Sequence, residues 1–308
     1  MTKHLLSMQD LSTKEVEAIL GRATELKQKF RKGEPHEPLH GKTLAMIFEK
    51  PSLRTRVTFE AGMTQLGGHA VYLAPADIQL GKRESVSDVA HNLSRWVDVV
   101  MARLFKHDTI IELARHSSVP VINGLTDMHH PCQTLADLLT IREKKGKLKG
   151  LKVAWVGDGN NVCNSLMQGC SLLGINFSAA CPKGFEPCTK VVEQAKENAR
   201  KSGAKLAVLT APRKAVEGAD VVYTDVWVSM GQEKEVEKRM RAFKGYQVNT
   251  TLLKLAKADA IFMHCLPAHR GQEVTGDVID GPHSVVWDQA ENRLHAQKGL
   301  LVSMLGTK

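Results

Sequence analysis

The stretch Thr43-Leu44-Ala45-Met46-Ile47-Phe48-Glu49-Lys50-Pro51-Ser52-Leu53-Arg54-Thr55-Arg56 decides how this chain is read. Its first six residues are an apolar run of strand type. Beyond it Phe59, Met63 and Leu66 recur at helical spacing, and Gly67-Gly68 ends the pattern. Pro51-Ser52 therefore marks a strand handing over to a helix. Unpaired backbone N–H groups at a helix start carry partial positive charge and favour anions. Two hydroxyls (Ser52, Thr55) and two guanidiniums (Arg54, Arg56) stand in that first turn. The set reads either as a serine cap followed by solvated arginines or as a cradle for a dianionic phosphate. Arginines where acidic residues are usually preferred favour the cradle.

Outward from this stretch, strand-like and helix-like runs alternate. A helix pattern over 12–31 and a loop over 33–38 come before it. A strand over 69–73, a helix carrying Val86, Val89, Leu93 and Trp96, a strand over 97–104, a helix over 108–116 and a strand over 119–122 follow. A longer amphipathic helix over 134–145 ends in Gly146-Lys147-Leu148-Lys149-Gly150. A second alternation has strands near 151–156, 175–180, 206–209, 221–225, 261–265 and 285–287. The pattern predicts an α/β protein of two open parallel sheets with helices on both faces. The domains are expected at 1–133 and 134–290. A final helix within 291–308 either closes the second domain or reaches back to the first. In such folds ligands bind at the carboxyl ends of strands and in the cleft between domains.

The chain has 308 residues, 43% hydrophobic and 24% charged, which suits a soluble globular protein of about two domains. No apolar run is long enough to cross a membrane. Met1-Thr2-Lys3-His4 leads into a polar helix pattern without a signal-peptide core, so a cytoplasmic location is expected. The formal charge is +9, yet aromatics are only 5% and no basic stripe alternates with stacking residues. Nucleic-acid binding is disfavoured, and an electropositive cleft for small anions accounts for the charge at least as well. The six cysteines form no CxxC pair, so neither a zinc site nor a dithiol redox site is indicated.

Other candidate residues fall at strand ends. Arg103 closes an apolar strand, either as a surface residue or as a ligand aimed into the cleft. His130 and Gln133 bracket the entry to the long helix, as caps or as donors to a carbonyl. Val156-Gly157-Asp158-Gly159-Asn160-Asn161 resembles a dinucleotide-binding turn, but Val162 stands where its third glycine belongs, which disfavours a nicotinamide dehydrogenase. Asp225 ends a strand ahead of Ser229-Met230-Gly231, and Glu233, Glu235 and Glu237 open a charged helix. That segment is either an ordinary turn with a solvated helix or an acid at the cleft with a mobile lid. Cys265, beside His264 and ahead of Pro267, is either core or an exposed thiol beside an acid.

Taken in order, these pieces resemble the aspartate/ornithine carbamoyltransferase family. The resemblance rests on Ser52-Leu53-Arg54-Thr55-Arg56, Gln79-Leu80-Gly81-Lys82-Arg83-Glu84-Ser85, Ala102-Arg103, His130-Pro131-Cys132-Gln133, Gly157-Asp158-Gly159-Asn160-Asn161, Asp225 with Ser229-Met230-Gly231, and His264-Cys265-Leu266-Pro267. The last two sets select its ornithine branch over the aspartate branch. The resemblance implies transfer of a carbamoyl group from carbamoyl phosphate to L-ornithine, giving L-citrulline in arginine metabolism, without a metal or organic cofactor. It implies a carbamoyl phosphate site of Ser52, Leu53, Arg54, Thr55, Gln79, Arg103, His130, Pro131, Cys132, Gln133, Cys265, Leu266 and Arg293. Asn161, Asp225, Ser229 and Met230 would hold ornithine, and Asp225, Cys265, Arg103 and His130 would act in catalysis. It further implies a homotrimer in which the loop carrying Gln79 serves the adjacent subunit, and a last helix packed back on the first domain. Aspartate, putrescine or an acylated ornithine is the alternative acceptor.

Overall fold

A computed structural model describes residues 3–229 and 231–306. The chain divides into two compact units, Met1–Leu139 with Glu291–Lys308, and Thr140–Ala290. The division falls inside the helix Pro131–Lys145, and the chain re-enters the first unit within the helix Val286–Leu305.

The first unit holds a parallel sheet of β1 (Thr43–Phe48), β2 (His69–Leu73), β3 (Val99–Arg103) and β4 (Val121–Leu125), in the order β2-β1-β3-β4. β1 and β3 are almost wholly buried, as expected of central parallel strands covered on both faces. β4 begins after Pro120, which has no N–H to give to a ladder. The N-terminal segment lines the free edge, with Leu5 N–H donating to Val121 O and Leu5 O accepting from Asn123 N–H.

The second unit has β5 (Lys152–Val156), β6 (Asn176–Ala180), β7 (Leu206–Leu209), β8 (Val221–Thr224) and β9 (Ile261–His264), ordered β7-β6-β5-β8-β9 and all parallel. The strand expected over 285–287 does not form. Ser284 makes a single bridge to Phe262, Val285 N–H donates to Phe262 O, and the helix Val286–Leu305 starts at once. Trp287 is 69% exposed, whereas a sixth strand would have buried one face. A run of three apolar residues fits a helix entry as well as a strand.

Each sheet reverses its winding beside its first strand. The turn after β1 lies where β2 and β3 diverge, and the turn after β5 where β6 and β8 diverge. Those are the switch points at which α/β sheets open a crevice. Trp155 fixes the second turn from beneath, being fully buried with its indole N–H donating to Asp158 O at 2.9 Å.

Within the first unit the last helix lies against the helix Thr13–Arg31. A Cβ on Gly299 would stand 2.7 Å from Ile19 O and 2.9 Å from Ala23, so only glycine permits this approach. Lys27 Nζ donates to Asn292 Oδ1 at 2.7 Å, and Lys298 Nζ to Gln65 Oε1 at 2.9 Å. His36 Nδ1 lies 2.7 Å from Glu34 O, so its proton belongs there and His36 Nε2 accepts from Lys298 at 2.6 Å. Among the described residues, no helix is long and apolar enough to cross a membrane.

Candidate active site

The turn after β1 brings the first set of candidates together. Ser52 caps the helix Leu53–Gln65 from extended backbone, and its Oγ accepts from Thr55 N–H at 3.2 Å. The Leu53 side chain is 76% exposed, so only its backbone faces the turn. Arg54 is half-buried in the first helical turn. Thr55 is buried, and its Oγ1 accepts from Arg293 Nη2 at 3.0 Å. Arg293 Nη1 also donates to Gln133 Oε1 at 2.8 Å, and Gln133 Nε2 donates to Asp137 Oδ1 at 2.8 Å. The last helix thus clamps both the phosphate-type turn and the entry of the long helix. Arg103 is buried at the end of β3.

His130 stands at the entry of the helix Pro131–Lys145, its carbonyl accepting the N–H of Thr134. Burial first, and then the charges of Arg293, Arg103 and Arg54, hold its imidazole well below the usual histidine pKa. It is neutral at physiological pH, with three guanidiniums acting on it. Cys132 is different in kind. Its thiol donates to Asn123 O, and burial pushes its pKa up to about 12, so it is an inert core thiol. Arg56 turns away from the cradle: its Nε donates to Glu60 Oε1 at 3.0 Å, and its guanidinium stacks on Tyr72 at 3.7 Å. Gln79 is exposed on the turn after β2, in left-handed backbone with φ 47°. It lines a cavity of about 260 Å³ with Phe48, Glu49 and Phe105 at the ends of β1 and β3.

Two further histidines are held neutral by burial, His129 with a pKa lowered to about 3 and His295 to about 4. A depressed histidine pKa means the unfolded chain binds the proton more tightly. The stability of keeping these rings neutral is complete above about pH 6.5 and is lost as pH falls toward 4. With His130, thermal unfolding should take up about three protons between pH 6.5 and 4. A melting temperature that is flat across that window would contradict this.

The second set gathers at the ends of β5, β8 and β9. Asp225 is buried and accepts from Asn160 Nδ2 at 2.8 Å, Val226 N–H at 2.8 Å and Cys265 Sγ at 3.0 Å. Asn160, rather than Asn161, is the cap of the helix Asn161–Leu172; its Oδ1 accepts from Val162 and Cys163 N–H. Asn161 lies half-buried in the next position. Cys265 is half-exposed, unlike the buried Cys163, Cys170 and Cys181. Leu266 has a left-handed φ of 58°. Ser229 N–H donates to Gln232 Oε1 at 3.0 Å, and Met230 lies outside the described residues.

Asp225, His264 and Cys265 offer ligand atoms within 4.8 Å of one another, the one such group among the described residues. Both His264 nitrogens have other partners, Leu266 N–H at 2.9 Å and Glu273 Oε1 at 3.2 Å. The group therefore presents one carboxylate and one thiol, short of the three protein ligands of a catalytic zinc site.

Nothing in the sequence singles out Arg239. A solvated charged helix is expected after the glycine loop, but Arg239 is buried and donates to Asp158 Oδ2 at 2.8 Å and to Trp227 O at 2.9 Å. This ties the Asp225 loop to the turn after β5. Burial raises the Asp158 pKa to about 6 against the pull of Arg239. The only sequence signal is Glu235 at i−4, which reads as a surface pair.

Two halves of different chemistry thus lie at the two switch points, one of donors and one built on a carboxylate and a thiol. Known proteins share this division. Residues 3–143 match the carbamoyl-P binding domain of aspartate/ornithine carbamoyltransferase, and residues 149–304 its Asp/Orn binding domain. The ornithine carbamoyltransferase of Pyrococcus horikoshii is 56% identical over 304 residues, covering 99% of this chain and 96% of that protein. That of Anoxybacillus flavithermus is 56% identical over 303 residues, covering 98% and 96%. The ornithine carbamoyltransferase structure from Pyrococcus furiosus superposes with a TM-score of 0.97 at 55% identity, covering 99% of this chain and 98% of that one. The Thermus thermophilus enzyme gives 0.87 at 48% identity, covering 99% of each. With both domain types matched in order and relatives alike along nearly their whole length, the chain belongs to the aspartate/ornithine carbamoyltransferase family.

Proposed function

We propose that this protein transfers the carbamoyl group of carbamoyl phosphate to the side-chain amine of L-ornithine, giving L-citrulline and phosphate. The observation that carries the reading is Asp225, a buried carboxylate in contact with a half-exposed thiol, Cys265. It suits a cationic side-chain amine, which an acceptor such as aspartate does not present.

In this reading Ser52, Arg54, Thr55 and Arg103, with the first-turn N–H groups including that of Leu53, hold the phosphate. Thr55, Arg103, His130 and Gln133 act on the carbamoyl carbonyl, with Arg293 orienting Thr55 and Gln133. A neutral His130 donates a hydrogen bond without competing for the phosphate proton. Asp225 and Cys265 receive and orient the ornithine amine; Asn161, Ser229 and Met230 hold the amino-acid end. The amine nitrogen attacks the carbonyl carbon after losing a proton, and the oxyanion is stabilised by the donors. The C–O bond to phosphate then breaks as the leaving phosphate takes the second proton from the former amine nitrogen, and hydrogen phosphate dianion departs into the arginine cradle. Carbamoyl phosphate is already activated, so the step draws on positioning and desolvation.

We place the enzyme in arginine biosynthesis in the cytoplasm, as a homotrimer. An exposed apolar pair on the phosphate helix, Leu53 and Val57 at 76% and 50% exposure, supports a subunit contact. Gln79, exposed on its turn, then serves a neighbouring subunit, and a native mass three times that of the chain is expected.

The test is a citrulline assay with ornithine, putrescine, aspartate and N-acetylornithine. Ornithine should be preferred, and a preference for any other acceptor would overturn the assignment. The free amine has a pKa near 10.4, so kcat/KM for ornithine should rise up to about tenfold per pH unit from neutral to mildly alkaline pH. A flat profile with chemistry rate-limiting would rule out amine deprotonation as the required step.

A further inference from the structure

Cys265 and Leu266 are held from behind by buried groups. Leu266 lies in the left-handed region, which a leucine side chain disfavours, so the surroundings must impose it. Among the contacts that hold it is its own N–H, which donates to His264 Nδ1 at 2.9 Å. An N–H partner fixes the tautomer: Nδ1 is the acceptor, and the ring proton sits on Nε2. Nε2 lies 3.2 Å from Glu273 Oε1. That same oxygen accepts from His269 N–H at 2.6 Å, closing the loop between the two ends. From the other side His264 N–H donates to Gln289 Oε1, and Gln289 Nε2 donates to Tyr223 Oη.

His264 and Glu273 are both fully buried, and Glu273 Oε2 has no hydrogen-bond partner, with His269 Nδ1 lying 3.9 Å away. A buried, half-satisfied carboxylate is a poor device for stability. Apolar residues of similar volume would pack the space behind the turn at less cost. What Glu273 achieves is directional: it holds one tautomer and one ring plane in His264.

We propose that Glu273 and His264 are positioning residues for the carbamoyl transfer, acting through the Leu266 amide to hold the Cys265 thiol 3.0 Å from Asp225. The inference rests on the proposed function for its activity readout, and its second readout is independent of that function.

Two pairs of variants separate positioning from filling. In His264→Asn the side-chain oxygen stands where Nδ1 stood and still accepts from Leu266. In His264→Gln the amide reaches the Nε2 position and takes away the Nδ1 acceptor of Leu266 N–H, although the larger side chain fills more of the space. Glu273→Gln keeps an oxygen for His264 and His269; Glu273→Leu does not. The first readout is kcat/KM for ornithine. The second is the rate of Cys265 alkylation by iodoacetamide in a Cys188→Ser background, which removes the other half-exposed thiol. E273Q should stay within about tenfold of wild type in turnover and near it in alkylation, and H264N, which keeps the acceptor for Leu266 but not the contact with Glu273, should fall between it and H264Q. H264Q and E273L should lose about 100-fold or more in kcat/KM and alkylate several-fold faster, as the thiol leaves Asp225. Equal behaviour of H264N and H264Q, or wild-type turnover in E273L, would overturn the proposal. Should H264Q fail to fold, as judged by near-UV circular dichroism, the Glu273 pair decides. Absence of citrulline formation in the wild type would sink the enzymatic reading, while the alkylation rates would still decide the positioning.

Discussion

Arg54→Ala should lower kcat/KM for carbamoyl phosphate by about 10³-fold while the protein stays folded, the scale seen when one donor to a developing anion is removed. The reason lies in where Arg54 stands. It occupies the first turn of the helix Leu53–Gln65, where N–H dipoles already point outward and repel a cation. No acidic residue offsets it in that turn. Its charge therefore disfavours the empty helix and favours the occupied one. Removing it should change stability by no more than about 1 kcal/mol in either direction. Steady-state kinetics and a thermal melt of the same sample test both halves. Full activity in Arg54→Ala would remove the phosphate assignment. A large loss of stability would show instead that the arginine is structural.

Asp225→Asn should cost about 10³-fold in kcat/KM for ornithine and leave the binding of carbamoyl phosphate within about twofold, because truncating a buried charged partner commonly costs about 2–5 kcal/mol. Three donors converge on the carboxylate: Asn160 Nδ2, Val226 N–H and Cys265 Sγ. An amide in its place keeps one acceptor and turns an NH2 group toward Asn160 or Cys265, donor against donor. The negative charge that would meet the amine is lost as well. The check is to measure ornithine kinetics beside equilibrium binding of carbamoyl phosphate. Loss of carbamoyl phosphate binding would mean that the substitution had disturbed the protein beyond the amine's half of the site; an unchanged kcat/KM would remove Asp225 from that half.

What was legible in the sequence follows from which features have short periods. The strand Thr43–Phe48, the capped turn at Ser52 and the alternation of elements are local patterns, and they carried the two-sheet α/β reading. The expected strand at 285–287 failed for the same reason, since three apolar residues hold no period. Arg56 and Arg54 are indistinguishable as letters, yet only Arg56 finds Glu60 one turn on and an aromatic face on the neighbouring strand. Asn160 and Asn161 likewise differ only in which one begins the helix. Arg239 and Glu273 were invisible because nothing local says that a charge in a polar segment is buried. Their partners lie up to 81 residues away, as with Asp158 and Arg239.

The clamp formed by Arg293 has a consequence for synthesis. Its partners Thr55 and Gln133 precede it by 238 and 160 residues, and Lys298 reaches back 233 residues to Gln65. A ribosome making this chain releases the turn at Ser52 long before the residue that clamps it. Contacts so distant along the chain close late. The second unit, contiguous from Thr140 to Ala290, has no such wait. A nascent chain therefore carries a finished amine-type half-site while its anion-type half is still incomplete, and premature termination anywhere before Arg293 removes the clamp without touching the turn itself.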